Sequence, residues 1–440
     1  MAHILRVLEH STLTVGDTQG EGEEQAEFLI EHWEKLLRYH DTGSGRRYYD
    51  IRHRAVRFKH YVGVLQAGSL TIEVLPKVDA VPGASNPRDE PFDRWRRLLL
   101  HLLAEAGLLP VDSFNTALLR ERENTLLDLY LDLFLTEVEA LLRRGLIKRY
   151  RQHEGQVKAL RGTLLFGQHI ARNVVHQERF YTRHQTYDRN HLAHSLLQQA
   201  LLLIPSVTTT ASLRGRATRA LVSWPDVTPV RPTAAHFARL RTRNSRQTAP
   251  YRSALGIARL LLLRLSPNVL HGSDELISLF FNMNRVWESY LLRTLQRLLP
   301  PDWTATKPPL ATFWQASSYQ SQMQPDLLLT HPTRTPIVLD AKWKRPPPGQ
   351  PNPNDLRQLF AYAQQYRANH TRLLYPQAAN DVPLRGEFEI PLHSSGDPIQ
   401  CGISYIRVGG MSSGLGTSDV DSSGYLHCSI GAELPYWLEQ

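Results

Sequence analysis

The apolar positions of this chain change character twice along its length. Up to about residue 85 they fall in short runs and alternations. Leu5 to Leu8, Ala55 to Phe58, Tyr61 to Gln66 and Ser69 to Leu75 predict strands, with Ala67-Gly68 as the turn between the last two. Among them, residues 23 to 39 carry Phe28, Leu29, Trp33, Leu36 and Leu37 at helical spacing. Residues 78 to 91, rich in Pro, Gly, Asn and Asp, predict a linker. Helical spacing then takes over, at 92–106, 126–144, 192–204, 233–240 and 253–265. From about residue 271 the two periods mix. Leu276 to Leu299 predicts a helix whose apolar stripe is Leu279, Phe280, Met283, Val286, Trp287, Tyr290, Leu291 and Leu295. Short strands follow at 327–329, 337–339, 373–375, 388–392 and 402–408, with a helix at 354–366 that Asn354 or Asp355 can cap. The pattern predicts an α+β multidomain chain: a β-rich part over 1–85, a mainly helical middle over 86–270, and a mixed α/β part over 271–440.

One stretch in the last part carries candidate chemistry. In Gln324 to Lys344, a turn from His331 to Pro336 separates two apolar strands. The second strand runs into Asp340, Ala341 and Lys342. Strand side chains alternate, so Asp340 and Lys342 share a face, and Asp326 opens the neighbouring strand. Two carboxylates beside a lysine suit a hard divalent cation. Mg²⁺ takes oxygen ligands and is often held by one or two carboxylates plus substrate phosphate oxygens. An Asp-x-Lys triplet arises by chance about once in a chain of this length, so its surroundings carry the reading. Glu288 lies mid-helix upstream, where a glutamate is ordinarily a solvated surface residue. Gln358 and Tyr362, four apart downstream, share a helix face.

Composition narrows the partners. The chain has 440 residues and a formal net charge of +9, which favours an anionic partner such as nucleic acid. Arg239, Arg241, Arg243 and Arg246 form a basic run that can track DNA phosphates and equally serves as an exposed loop. Arg143, Arg144, Lys148, Arg149 and Arg151 form a second cluster, a solvated face or a contact for a partner or DNA. His191 and His194 are three apart with no third ligand at a useful spacing, which favours capping or surface roles. Cys401 and Cys428 are the only cysteines, so neither a disulfide framework nor a thiolate zinc site is expected, and a reducing cytoplasm fits. The first ten residues hold too short an apolar stretch for a signal peptide, and no run of apolar residues is long enough to cross a membrane. No G-x-x-x-x-G-K-[ST] loop occurs, so nucleotide hydrolysis by this chain itself is not expected.

The order of parts resembles the PD-(D/E)xK nuclease superfamily: a helix with a Glu, then Pro325-Asp326, then Asp340-Ala341-Lys342, then a helix with Gln358 and Tyr362, then a strand. VLDAKWK, DLRQLFAYAQQY and LLYP are similar to the McrC family, the nuclease subunit of the McrBC 5-methylcytosine-specific restriction system. LRGTLLFGQHIARN from Leu160 and YDRNHLAHSLLQQAL from Tyr187 also resemble it, as, more loosely, does the IEVLPK of the N-terminal part. The resemblance implies a C-terminal restriction-endonuclease-like domain with a mixed central sheet flanked by helices. It implies a type IV antiphage role, Mg²⁺-dependent cleavage of double-stranded DNA, and a GTP-hydrolysing AAA+ hexamer of McrB type whose hydrolysis is stimulated. By the same resemblance Asp326, Asp340 and Glu288 are metal ligands, Lys342 positions water or steadies charge, and Gln358 orients the site or touches DNA. The basic cluster from Arg143 to Arg151 falls where the motor partner binds, and residues 1–85 form a partner-binding or accessory domain. The alternative is an activator, scaffold or DNA-binding subunit without catalysis.

Overall fold

The structure is a computed structural model. It describes the chain apart from residues 1–2, 21–24, 44, 69, 78–91, 109–124, 177, 242–246, 265–275, 345, 348–349, 378–382, 390–397, 407, 409–429, 431–433, 435–436 and 439–440. The chain forms two compact units, one of residues 1–125 and 274–440, the other of residues 126–273.

The first unit begins with β1 (His3–Leu8), β2 (Thr12–Thr14), β3 (Thr18–Gln19), β4 (Ala26–Glu27), α1 (Ile30–Asp41), β5 (Tyr49–Arg52), β6 (Ala55–Phe58), β7 (Tyr61–Ala67), β8 (Leu70–Leu75) and α2 (Phe92–Glu105). The helix expected from residue 23 starts only at Ile30. Ala26 and Glu27 pair with β3, and the Phe28 amide donates to the Asp17 carbonyl at 2.9 Å, so these backbone groups are already committed. β1 lies parallel to β8, and β8 forms a hairpin with β7 through Gly68 at φ +66°. Leu5, Leu65, Ile72 and Val74 from this sheet close over Phe28, Leu36 and Tyr49.

The second unit opens with α3 (Leu126–Arg144), then β9 (Arg149–Val157), β10 (Thr163–Leu164), α4 (Phe166–Asn173), β11 (Phe180–Asp188), α5 (Leu192–Val207), α6 (Ala211–Val222), α7 (Ala234–Arg241) and α8 (Tyr251–Arg264). α3 is apolar on nearly every side and packs against α5, α6 and α8 as a buried centre. β9 and β11 pair antiparallel over nine residues each, with β10 along β11. This ribbon and α4 leave Tyr150, Phe166, Ile170, Val174, Val175 and Tyr187 exposed. His191 and His194 stack 3.8 Å apart at the start of α5. His194 is buried and shares hydrogen bonds with the Arg189 carbonyl and the Tyr251 hydroxyl, so it has an internal structural role in place of the expected capping or surface one.

The chain re-enters the first unit with β12 (Leu276–Asn282) and α9 (Met283–Leu298). Here the sequence reading needs correction. A single helix over 276–299 is expected, but residues 276–282 form a strand antiparallel to β7, and the helix starts at Met283 with the Asn282 side chain accepting from the Arg285 amide at 3.2 Å. The run Leu-Ile-Ser-Leu-Phe-Phe fits a fully buried strand as well as a helix stripe, and β7 offers it an open sheet edge. Leu279 and Phe280 are thus strand residues. The rest of the stripe, Met283 to Leu295, lies buried on α9.

The pairing of β7 with β12 depends on Gly63, at φ +142°. A Cβ there would sit 2.0 Å from the Leu279 carbonyl oxygen. Neither the backbone conformation nor the space admits a side chain. Gly63→Ala is expected to lower unfolding free energy by about 2–4 kcal/mol, measured by chemical denaturation.

β13 (Thr304–Thr306), β14 (Ala311–Gln315), β15 (Gln320–Met323), β16 (Leu327–Thr330), β17 (Ile337–Ala341), α10 (Pro353–Tyr366), β18 (His370–Pro376), β19 (Leu384–Glu387) and β20 (Gln400–Ile406) complete the unit. Six strands make a mixed sheet in the order β13-β16-β17-β18-β20-β19. β16 and β17 are antiparallel, while β17, β18 and β20 run parallel. α10 packs on this sheet, with Leu359 and Tyr362 against Val338, Leu373 and Tyr375, and α9 also packs on β17. The strand expected at 388–392 lies earlier, at Leu384–Glu387. Phe388 keeps one backbone bond to Ile399, and residues 390–392 lie outside the described residues, as do the 78–91 linker and the Gly- and Ser-rich 409–424 stretch.

Candidate active site

The site grows from the hairpin of β16 and β17. Its register sets Leu327 opposite Leu339, so one step further Asp326 faces Asp340. Asp340 shares the face of Val338, which α10 covers, and is only 2 % exposed. Asp326 is aimed by its own neighbour strand: its Oδ2 accepts from the Ala341 amide at 2.8 Å. Two apolar strands therefore bring two carboxylates together at their ends.

Lys342 closes the group. Its Nζ lies 2.7 Å from Asp340 Oδ2 and donates to Gln358 Oε1 at 3.0 Å. Gln358 Nε2 donates to the Tyr362 hydroxyl at 2.6 Å. The amide is thus oriented from both ends, and the i, i+4 spacing on α10 supplies the geometry. Of the five side chains predicted to share this site, Asp340, Lys342 and Gln358 meet in one chain of contacts.

The electrostatics are those of a crowded anionic pocket. Burial pushes the Asp326 carboxyl well above the usual range, and the charges of Asp340 and Glu288 push it further. Asp340 is also raised by burial, against the opposing pull of Lys342. The two carboxyls act on each other: the Asp340 charge raises Asp326, while interaction with Asp326 offsets part of the rise at Asp340. For Lys342, burial favours the neutral amine, but the charge and hydrogen bond of Asp340, with the charges of Asp355 and Asp326, together outweigh it and hold the ammonium above the ordinary lysine value.

These features fit a divalent cation. Asp340 Oδ2 is buried and, beyond the ion pair with Lys342, has no hydrogen bond of good geometry. One ammonium is opposed by two inward carboxylates, so the pocket is short of positive charge. Among the described residues, no three His, Cys, Asp or Glu side chains converge as a ready-made metal group. The oxygen donors are the Asp326 and Asp340 pair. Glu288, at the middle of α9, is half-buried and pairs with Lys307 at 2.8 Å, while its charge still reaches Asp326.

Several neighbours escape the sequence reading. Lys307, the partner of Glu288, belongs to no motif. Asp355 reads as a helix cap, but the N-cap is Asn352, whose side chain accepts from the Asn354 amide, and Pro353 opens the helix. Asp355 points inward instead. It pairs with Lys344 at 2.7 Å and accepts from the Tyr375 hydroxyl at 3.2 Å. Its charge acts on both Asp340 and Lys342. The doubled lysine of Lys342-Trp343-Lys344 was a signal that two acids stood nearby.

The predicted DNA and partner residues belong to the other compact unit. Arg239 is exposed on α7, and Arg241 ends that helix; Arg243 and Arg246 lie outside the described residues. Arg143 and Arg144 end α3, exposed. Lys148 stands over the Tyr187 ring, Arg149 begins β9, and Arg151 pairs with Asp188 at 3.4 Å.

Residues 56–376 match the family described as McrBC 5-methylcytosine restriction system component. The fold is similar to a chain in a half-complex from a tetradecameric assembly of Thermococcus gammatolerans McrB AAA+ hexamers with bound McrC. The TM-score is 0.64 at 18% identity, covering 94% of this chain and 96% of that one. A cryo-EM structure of the Thermococcus gammatolerans McrBC complex also matches, with a TM-score of 0.50 at 18% identity, covering 68% of this chain and 88% of that one. Among curated proteins, no sequence matches. The family match runs from β6, through the whole second unit, to the strand beyond Asp340 and Lys342, and the chain belongs to the McrBC 5-methylcytosine restriction system component family.

Proposed function

We propose that this chain is the McrC-type DNA endonuclease subunit of a modification-dependent restriction system. It hydrolyses phosphodiesters of double-stranded DNA with Mg²⁺ when assembled with a GTP-hydrolysing AAA+ partner of McrB type, and it stimulates that partner. The observation that carries the reading is the half-buried Asp326 beside the buried Asp340, with a lysine that pairs with Asp340 and is held by Gln358. On this reading the six-stranded mixed sheet with α9 and α10 is a PD-(D/E)xK domain.

Asp326 and Asp340 would hold the ion, which when bound acts as a Lewis acid toward the phosphate and lowers the pKa of water. The Ala341 amide holds Asp326 by its Oδ2 at the end of the strand opposite Asp340. Lys342 keeps its proton, since Asp340 holds it ionised, and so serves as a fixed positive charge for the pentavalent transition state rather than as a general base. Gln358 and Tyr362 fix where that charge stands. Glu288, tied to Lys307, adds negative potential at Asp326 and would add to the hold on the ion.

The second unit suits the motor partner. α4 and the residues just after it expose the apolar Phe166, Ile170, Val174 and Val175, and Arg143, Arg144 and Lys148 of the same unit are exposed too. The arginines of α7 are the candidate phosphate contacts.

The test is cleavage of methylated plasmid in Mg²⁺ by this protein with its GTPase partner. Cutting is expected only when partner, GTP and Mg²⁺ are all present. If GTP hydrolysis rises but the DNA stays intact under every condition, the chain is an activator and the nuclease reading is wrong.

A further inference from the structure

Glu9 lies just beyond β1 in the N-terminal sheet, far in sequence from the candidate site, and is 2 % exposed. Its Oε1 accepts from the Trp343 indole Nε1 at 2.6 Å and from the Lys77 amide at 3.0 Å. Its Oε2 is buried with no hydrogen bond among the described residues, and His10 Nε2 lies 4.0 Å from it. Burial raises the carboxyl to about 7 in spite of both hydrogen bonds. A half-satisfied buried carboxylate is a costly way to join a sheet to a strand, since two apolar surfaces would do so without loss.

Trp343 explains the arrangement. It follows Lys342 directly, and its ring packs on Trp287 with centroids 5.5 Å apart. Trp287 precedes Glu288 and donates its own Nε1 to the Leu374 carbonyl at 3.2 Å. The same carbonyl accepts from the Lys342 amide at 3.0 Å. One short network therefore fixes the backbone on either side of the catalytic lysine and beside Glu288, and Glu9 is its anchor outside the mixed sheet. α9, β17 and β18 could each shift slightly against their neighbours, but the indole cannot turn while both tryptophans are tied.

From this geometry we infer that Glu9 is a positioning residue: its hydrogen bond to Trp343 sets the Lys342 ammonium against Asp340, so that the N-terminal sheet forms part of the nuclease site. The inference rests on the nuclease reading for its functional meaning, and on geometry alone for the placement of Lys342.

The experiment compares Glu9→Ala, Glu9→Gln, Trp343→Phe and the double variant Glu9→Ala/Trp343→Phe in the full complex. Glutamine keeps the acceptor for the indole, whereas phenylalanine keeps the ring and removes the donor. Glu9→Ala and Trp343→Phe are each expected to lower the single-turnover cleavage rate on the order of tenfold or more, because small misplacements of a charged group are expensive in rate. DNA affinity measured in Ca²⁺ and stimulation of the partner's GTPase should not change. Glu9→Gln should stay near wild type, and the double variant should be no worse than either single one. A second readout needs no cleavage: acylation of Lys342 by an amine reagent, followed by mass spectrometry, should speed up several-fold in Glu9→Ala and Trp343→Phe but not in Glu9→Gln. Unchanged Lys342 labelling in Trp343→Phe would overturn the positioning role. If labelling changes as expected but wild type cuts no DNA, the positioning stands and the nuclease reading fails. If Glu9→Ala does not fold, Trp343→Phe and Glu9→Gln still decide, and wild-type cleavage by Trp343→Phe sinks the idea.

Discussion

Asp340→Ala is expected to abolish DNA cleavage, by a thousandfold or more, while the variant still binds its partner and still raises GTP hydrolysis. A loss of that size is roughly 4 kcal/mol of transition-state stabilisation. It is the scale expected when one of the two proposed oxygen ligands is removed, because Glu288 is engaged by Lys307 and cannot simply replace it. The same change should make the cation-free fold more stable. The carboxyls of Asp326 and Asp340 are raised in the folded state, so folding takes up protons there. Their contribution is fully present below the ordinary aspartate pKa and is lost as pH rises through the raised folded values. At neutral pH the pair is therefore a burden that a divalent ion would relieve. In wild type, Mg²⁺ should raise the melting temperature near pH 7 and do so much less near pH 4. Asp340→Asn should melt higher than wild type without Mg²⁺ and gain little from adding it. Differential scanning fluorimetry across pH and Mg²⁺ checks this. A Mg²⁺ response that survives in Asp340→Asn would place the cation elsewhere.

The residues of this site were legible in the sequence because the two strands that carry them are short, apolar and joined by an unmistakable turn. Alternation alone put Asp340 and Lys342 on one face, and the i, i+4 spacing put Gln358 beside Tyr362. What the sequence hid has a physical cause in each instance. Residues 276–282 are apolar at both periods, and only the open edge of β7, which lies more than 200 residues earlier, decides for the strand. Asp355 sits in the first turn of α10, where acids commonly cap, and its inward direction depends on Lys344 and Tyr375. The Glu9 bond to Trp343 spans most of the chain, and no local pattern marks either partner. Distant tertiary contacts selected the arrangement at every one of these positions, and local pattern ranks the options without choosing among them.

Lys342→Met is the second large effect, and it separates charge from coordination. Methionine keeps much of the unbranched side chain but removes the ammonium, the ion pair with Asp340 and the bond to Gln358. Cleavage should fall on the order of 10²–10³-fold, the usual loss when one fixed stabiliser of transition-state charge is taken away. Asp340 then loses the partner that lowers its pKa, so it protonates more readily and the optimum for any residual cleavage should move to higher pH. Binding of Mg²⁺ or Mn²⁺ at pH 8, followed by calorimetry, should persist, because both carboxylates remain and the competing ammonium is gone. Lys342→Arg keeps a positive charge but cannot keep the single short contact to Asp340 together with the bond to Gln358, so it should recover only part of the rate. If Lys342→Met cleaves like wild type, the lysine serves only to neutralise Asp340 during folding, and the transition-state charge must be met by the cation and by groups on the DNA side. If it fails to bind the cation at pH 8, Lys342 is holding the two carboxylates in place, and the loss of cleavage reports that rather than chemistry.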